Sequence, residues 1–150
     1  MNTTKLGKLV GDWSNVDAAL LQRVNDLFGL SSCDIKLDTQ QPNDVTLLKT
    51  DNLEHYNTEY TFNVKRFRIH LTDWQPGHFY SYGNEIHTGW SAGDVYTYEW
   101  DKTSYSSANA SHNPRLVLEL TGIVTEKTTD FINRLKRFGT LQLELTENSW

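Results

Sequence analysis

Three stretches of this sequence carry side chains whose types and spacing could bind an anion or a metal. In "VKRFRIHL" side chains alternate across an extended strand, so Arg66, Arg68 and His70 share one face while Phe67, Ile69 and Leu71 share the other. On the outside of a sheet such a cationic face would simply be solvated. Inside a barrel it would make a pocket for a dicarboxylate, because a guanidinium grips a carboxylate through two parallel hydrogen bonds. "PRLVLELTG" has the same dual character, with Leu116, Leu118 and Leu120 facing one way and Arg115, Val117 and Glu119 the other. "VTLLKTDNL" places Lys49 and Asp51 two apart, hence on the same side of an extended segment. A His-x-Asp at that place would supply two legs of a two-histidine-one-carboxylate Fe(II) site, but the first leg here is lysine. An exposed Lys49–Asp51 pair on its own would be worth little.

The remaining histidines, His55, His78, His87 and His112, form no short His-x-x-x-His or Glu-x-x-His pattern. Taken singly, each reads as a surface or packing residue. There is no Gly-x-x-x-x-Gly-Lys loop and no Gly-x-Ser-x-Gly elbow, so nucleotide hydrolysis and serine-hydrolase chemistry find no support.

The elements that must position these residues are legible as two periods. "SNVDAALLQRVNDLFG" has helical spacing, with Val16, Ala19, Leu20, Leu27 and Phe28 on its apolar side. Ser14 is the expected cap, Asp17 its capping-box partner, and Gly29 the terminator. A second helix is expected in "TEKTTDFINRLKRFG", where Phe131, Leu135 and Phe138 recur and Gly139 closes. Between them "DIKLDT", "DVTLLKTD", "NVKRFRIHL", "GHFYSYG", "GDVYTYEW" and "PRLVLELTG" alternate with period two, separated by Asn, Gly, Pro and Asp. "LQLEL", from Leu141 to Leu145, adds a further candidate strand. Strands bracketed by helices, without a strand–helix rhythm, predict an antiparallel sandwich or barrel with helical buttresses.

The 150 residues are expected to form one domain, 1–150, large enough for a core without disulfides or structural metal. Only 37% of residues are apolar, but five Trp, seven Tyr and six Phe supply large buried area per residue. A net charge of −5 argues against a nucleic-acid surface. No run approaches the roughly 18 apolar residues of a membrane span, and the first residues lack a signal-peptide core. With Cys33 alone there is no disulfide framework or thiolate cluster. A soluble cytoplasmic protein is the expectation.

Taken in order, "DTQQPNDVTLLKTD", "RFRIHLTDWQPGHFYSYGN", "GWSAGDVYTYEW" and "SSANASHNPRLVLELTG" resemble the double-stranded β-helix (jelly-roll, cupin-like) of the 2-oxoglutarate/Fe(II)-dependent oxygenases. The resemblance is to the aspartyl/asparaginyl and prolyl hydroxylase branch, and it covers most of the chain after the first helix. It implies a mainly β fold with flanking helices. It also implies that a His-x-Asp and a later histidine hold iron, and that an arginine about ten residues beyond that histidine grips the 2-oxoglutarate carboxylate. Arg115 stands in the arginine's place and Asp51 in the acid's, while Arg68 and His70 match a second cosubstrate-binding pair. Lys49 and Tyr105 stand where the two metal-binding histidines would be. A protonated lysine has no lone pair to give a metal, and a phenol with an unperturbed pKa of about 10 is a poor Fe(II) ligand.

The resemblance therefore implies an oxygenase-like protein, catalytically impaired, that keeps a pocket for a small dicarboxylate such as 2-oxoglutarate and has little use for Fe(II). The first alternative is an active 2-oxoglutarate-dependent hydroxylase, acting on a protein or amino-acid substrate, with His55 or His78 as an unusual ligand. The second is a non-catalytic interaction module with a vestigial pocket. No nucleic-acid or membrane partner is expected under any of these readings.

Overall fold

The computed structural model describes residues 3–49, 63–100 and 102–143. Among the described residues ten strands and two helices are laid out in chain order as β1 (Thr3–Val10), α1 (Ala18–Phe28), β2 (Ser31–Gln40), β3 (Val45–Lys49), β4 (Val64–His70), β5 (His78–Tyr82), β6 (Glu85–His87), β7 (Asp94–Tyr98), β8 (Tyr105–Asn109), β9 (Arg115–Ile123), α2 (Glu126–Phe138) and β10 (Thr140–Gln142). They form two sheets, a six-stranded one ordered β10-β1-β7-β4-β9-β2 and a four-stranded one ordered β3-β8-β5-β6. The strands pair antiparallel throughout, except for a short parallel contact between β1 and β10. This is the expected double-stranded β-helix with helical buttresses. No described helix is long and apolar enough to cross a membrane.

Both faces of the larger sheet are buried, and they are buried in different company. Its outer face carries Leu6, Leu9, Phe67, Ile69, Val95, Leu118 and Leu120, packed against Leu20, Val24 and Phe28 of α1 and Phe131 and Leu135 of α2. The helices thus cover one sheet from outside. Phe28 lies 5.2 Å from Phe67 and 4.7 Å from Phe131, ring centre to ring centre. Burying one such ring fully stabilises the fold by about 1.5–3 kcal/mol. The inner face, toward the smaller sheet, carries mostly charge and aromatic rings, with Val64 and Val117 among them. The period-two pattern of β4 is therefore the boundary between an aliphatic core and a polar aromatic one, and its cationic side faces inward.

The helix ends explain where the chain turns. Gly29 (φ 63°) and Gly139 (φ 74°) terminate α1 and α2, their N–H groups returning to Asn25 and Leu135. The start of α1 corrects the expectation. Ser14 is not the cap, because its N–H and hydroxyl are both spent on the Asp12 carboxylate at 3.0 and 2.5 Å. Asp17 caps instead, accepting from the Leu20 N–H at 2.9 Å. At α2, Thr125 and Thr128 form a reciprocal capping box, and the Thr125 hydroxyl donates to the Gly29 carbonyl at 2.6 Å, tying the start of one helix to the end of the other.

Three strands were not expected from sequence: β1, β6 and β8, whose "YSSAN" is mostly small and polar. β1 escapes the pattern because Lys5, Lys8 and a register shift between Lys5 and Gly7 break its alternation. β6 is three residues long. The expected strand at Leu141–Leu145 begins as β10, and its last two residues lie outside those described. One junction depends on glycine. Gly93 (φ 94°) donates its N–H to the His70 carbonyl at 2.7 Å and accepts from the Leu9 N–H at 2.9 Å, so it joins β1 and β4 at the start of β7. A Cβ on Gly93 would meet the Leu9 carbonyl oxygen at 2.3 Å.

Candidate functional site

The three residues read from sequence as an anion site lie between the sheets. Arg115 is 0% exposed, His70 1% and Arg68 3%. The pairing of β4 with β9 places Arg68 opposite Glu119 and His70 opposite Val117. All three converge on one side chain that sequence reasoning did not single out, Tyr80 of β5. The Arg115 guanidinium lies 4.4 Å from the centre of the Tyr80 ring and that of Arg68 5.5 Å, while the His70 ring meets it edge-on at 6.1 Å.

Each guanidinium is held differently. Arg68 donates through Nε and Nη2 to Glu119 Oε2 at 2.9 and 2.7 Å, and through Nη1 to the Tyr82 hydroxyl at 2.7 Å. Its charge is surrounded by the rings of Tyr80, Tyr82, Tyr98 and Tyr105 at 4.8–5.5 Å. Burial opposes that charge, but Tyr82, Tyr98, Tyr80 and Glu119 more than offset it, and Arg68 stays protonated above the ordinary arginine range. Arg115 is held mostly by neutral groups. Nε donates to Gln40 Oε1 at 3.1 Å and Nη1 to the Tyr80 hydroxyl. Its carboxylate partner is Asp38, through a single oxygen 3.3 Å from Nη2, on a side chain 41% exposed. A fully buried fork matched to one half-exposed oxygen has geometry to spare for a carboxylate ligand.

The titratable neighbours are set to be neutral. Burial raises the phenols of Tyr80, Tyr82 and Tyr98, against the pull of Arg68, so they remain hydroxyls. His70 is pushed well below its ordinary value by burial first, then by His87, Arg115 and Arg68. Its Nε2 lies 3.3 Å from His87 Nε2, so one neutral imidazole donates and the other accepts. The His70 ring stacks on Trp90 at 4.1 Å, 10° from parallel, and Trp90 is anchored by donating its indole N–H to the Thr72 carbonyl at 3.1 Å. His70 Nδ1 is buried without a hydrogen-bond partner among the described residues.

The space between the sheets therefore has cationic and phenolic walls, and its phenols had a signal in the sequence. "HFYSY" and "DVYTY" alternate with period two, which sends His78, Tyr80 and Tyr82 inward from β5 and Tyr98 inward from β7. Gln40, Asp38 and His87 had none, because only the pairing of β2 with β9 and of β5 with β6 brings them in.

The two positions standing for metal-binding histidines are neighbours: Lys49 and Tyr105 are Cα partners across the β3–β8 pair. Tyr105 is buried beside Arg68, whose guanidinium lies 4.8 Å from its ring, a poor place for a dication. Asp51 and His55 lie outside the described residues. His78, the other alternative ligand, has its Nε2 within 2.9 Å of the Ser111 hydroxyl and 3.3 Å of the Asn113 carbonyl. Among the described residues no three His, Cys, Asp or Glu side chains converge on a point. The described residues do not fit a two-histidine-one-carboxylate Fe(II) centre.

No known sequence family matches the chain, and no characterised protein matches it in sequence. Solved structures do resemble its fold. The apo form of the non-heme monooxygenase ThoJ is similar over 71% of this chain and 52% of its own, at 15% identity and a TM-score of 0.50. A Pseudomonas putida prolyl-4-hydroxylase is similar over 71% of this chain and 62% of its own, at 14% identity and a TM-score of 0.46. A cupin-superfamily sugar phosphate isomerase from Silicibacter pomeroyi covers 77% of this chain and 68% of its own, at 16% identity and a TM-score of 0.45. The chain spans about half the length of ThoJ. At these identities the likeness is one of fold and says nothing of substrate.

Proposed function

We propose that this chain is an oxygenase-like double-stranded β-helix that binds a small dicarboxylate, 2-oxoglutarate being the first to test, and is catalytically impaired. The observation that carries the reading is the convergence of Arg68, His70 and Arg115 around Tyr80 between the two sheets. In this reading one carboxylate of the ligand displaces Asp38 from Arg115 and takes both arms of its fork, with the Tyr80 hydroxyl as a further donor. Arg68, locked to Glu119 and Tyr82, supplies the standing positive field, and neutral His70 offers a hydrogen bond to the second carboxylate. Impairment follows from the lysine and the phenol at the two imidazole positions, which leave Asp51 without nitrogen partners at those places.

Titration calorimetry of 2-oxoglutarate against the purified chain tests this. Binding to wild type is expected, and Arg115→Ala should weaken it by about 1.5–3 kcal/mol, the worth of a charge-assisted contact. Arg115→Lys keeps the charge but loses the fork, so it should restore only part of the affinity. Affinity unchanged in Arg115→Ala, with melting curves confirming both variants folded, overturns the site. Turnover of 2-oxoglutarate by wild type with Fe(II) and oxygen overturns the impairment.

A further inference from the structure

The larger sheet has helices over its outer face; among the described residues the smaller sheet has none, and large apolar side chains stand on its outward face. An antiparallel sheet with a solvated face ordinarily alternates apolar-in and polar-out. Here β3, β5 and β6 present Val45, Leu47, Leu48, Phe79 and Ile86 outward, with Leu47 79% and Ile86 74% exposed. Between these large side chains the pairing sets small ones: Val45, Ala108 and Phe79 form one row across β3, β8 and β5, and Ser106, Ser81 and Ile86 the next across β8, β5 and β6. The result is a shallow trough of about 450 Å³ floored by Ser106, Ala108 and Ser81 and flanked by a β3 ridge.

We propose that this face is the two-fold interface of a homodimer. Three observations choose a second copy over another partner. None of the described residues lining the trough is charged, although the chain carries a net −5. Two like-charged copies can meet closely only through such a face, whereas a cationic partner would be read by carboxylates. The face also holds a ridge and a trough side by side. A two-fold axis running along β8 lays the β3 ridge of each copy (Val45, Leu47) over the β5 strand of the other (Phe79, Ser81). It leaves the small Ser106 and Ala108 at the axis, each facing its own copy. Finally, the exposed apolar side chains amount to on the order of 500 Å², near the upper limit for one patch on a monomer. With the serine floor this approaches the ~800 Å² per partner of a stable interface. The dimer is independent of whether the interior binds a carboxylate.

Sedimentation velocity of the full chain from 1 to 100 µM tests it. Wild type is expected to sediment as a dimer at the upper concentrations, and the dimer should tighten as NaCl rises, because salt screens the repulsion of two acidic copies without weakening an apolar contact. Leu47→Glu, a change at an exposed position, should raise the dimer dissociation constant more than tenfold while leaving the melting curve of the monomer in place. Ser106→Cys in a Cys33→Ser background should cross-link to its own copy through a short bis-maleimide, since a residue on the axis meets its own copy across the ~10 Å between packed sheets. A wild type monomeric at 100 µM overturns the proposal and leaves the face to a partner of another sequence. A dimer untouched by Leu47→Glu overturns the choice of face, and a dimer that Ser106→Cys does not cross-link overturns the axis.

Discussion

His70 shows how one residue couples the lining of the interior to solution pH. It is packed between Trp90, Tyr80 and Tyr96, faces His87 through Nε2, and has the Arg68 and Arg115 charges nearby. Burial first, then His87 and the two guanidiniums, disfavours an imidazolium, and His78 and His87 are lowered as well, by burial first in both cases. The unfolded chain takes up these protons near pH 6.5, while the folded chain takes them up only at lower pH. Above about 6.5 neither state is protonated and stability is at its full value. As pH falls from there toward the folded pKa values the unfolded state binds more protons, and stability is lost at up to about 1.4 kcal/mol per pH unit for each such proton. Thermal melts between pH 7.5 and 5.5 should therefore show Tm falling with acid. His70→Gln, which removes the most deeply buried of the three, should flatten the slope by about one proton. An unaltered slope in that variant would mean that His70 is protonated in the fold. The imidazole was readable from sequence as one of three residues on a strand face. Its partners were not, because Trp90 and His87 arrive through loops and a three-residue strand.

At the scale of elements, what periodicity encodes came through and what pairing encodes did not. Phe131 and Leu135 repeat at helical spacing and are the buried face of α2, and the inward Arg66–Arg68–His70 face of β4 follows from alternation alone. β1 hides because its lysines reach across to the buried Asp94, at 3.4 Å from Lys5 and 3.8 Å from Lys8, and that is a tertiary contact. The cap of α1 was misplaced because Asp12, not the helix, claims Ser14. Gly93 is the element-scale hinge of the site, since the carbonyl it binds belongs to His70. Gly93→Ala adds a side chain at positive φ and drives it into the Leu9 carbonyl, so strain and displacement add. The cost should be about 2–3 kcal/mol, or roughly 5–10 °C in Tm for a domain of this size. Gly89 has a similar φ of 74° but open space around it, so Gly89→Ala should cost only about 1 kcal/mol. Equal losses in the two variants would show that the contact with β1 is not tight.

For the whole molecule, the division into an aliphatic core under the helices and a polar core between the sheets separates the part that drives folding from the part proposed to bind a dicarboxylate. The helix-side core is a continuous apolar cluster reaching from Leu6 to Leu143, so folding has a driving force that does not depend on a metal. A chelator should then leave Tm where it was. A dicarboxylate that binds only the folded interior raises stability by mass action, about 2.7 kcal/mol at a hundred times its dissociation constant, or roughly 5–10 °C. Protein concentration must be held constant across such melts, because a dimer makes Tm depend on it as well. Fe(II) added anaerobically with 2-oxoglutarate should give wild type no further shift. In the double variant Lys49→His with Tyr105→His, two neutral nitrogen donors stand on paired positions of adjacent strands, and Fe(II) should then stabilise further. Either substitution alone should gain much less, since one non-ligating side chain would remain. Turnover need not return with the metal, because the guanidinium beside position 105 was never arranged to orient a ligand. If Fe(II) already raises the Tm of the unaltered chain and 2-oxoglutarate is consumed, one of the histidines elsewhere, His55 first among them, is a true ligand and the protein is a working oxygenase.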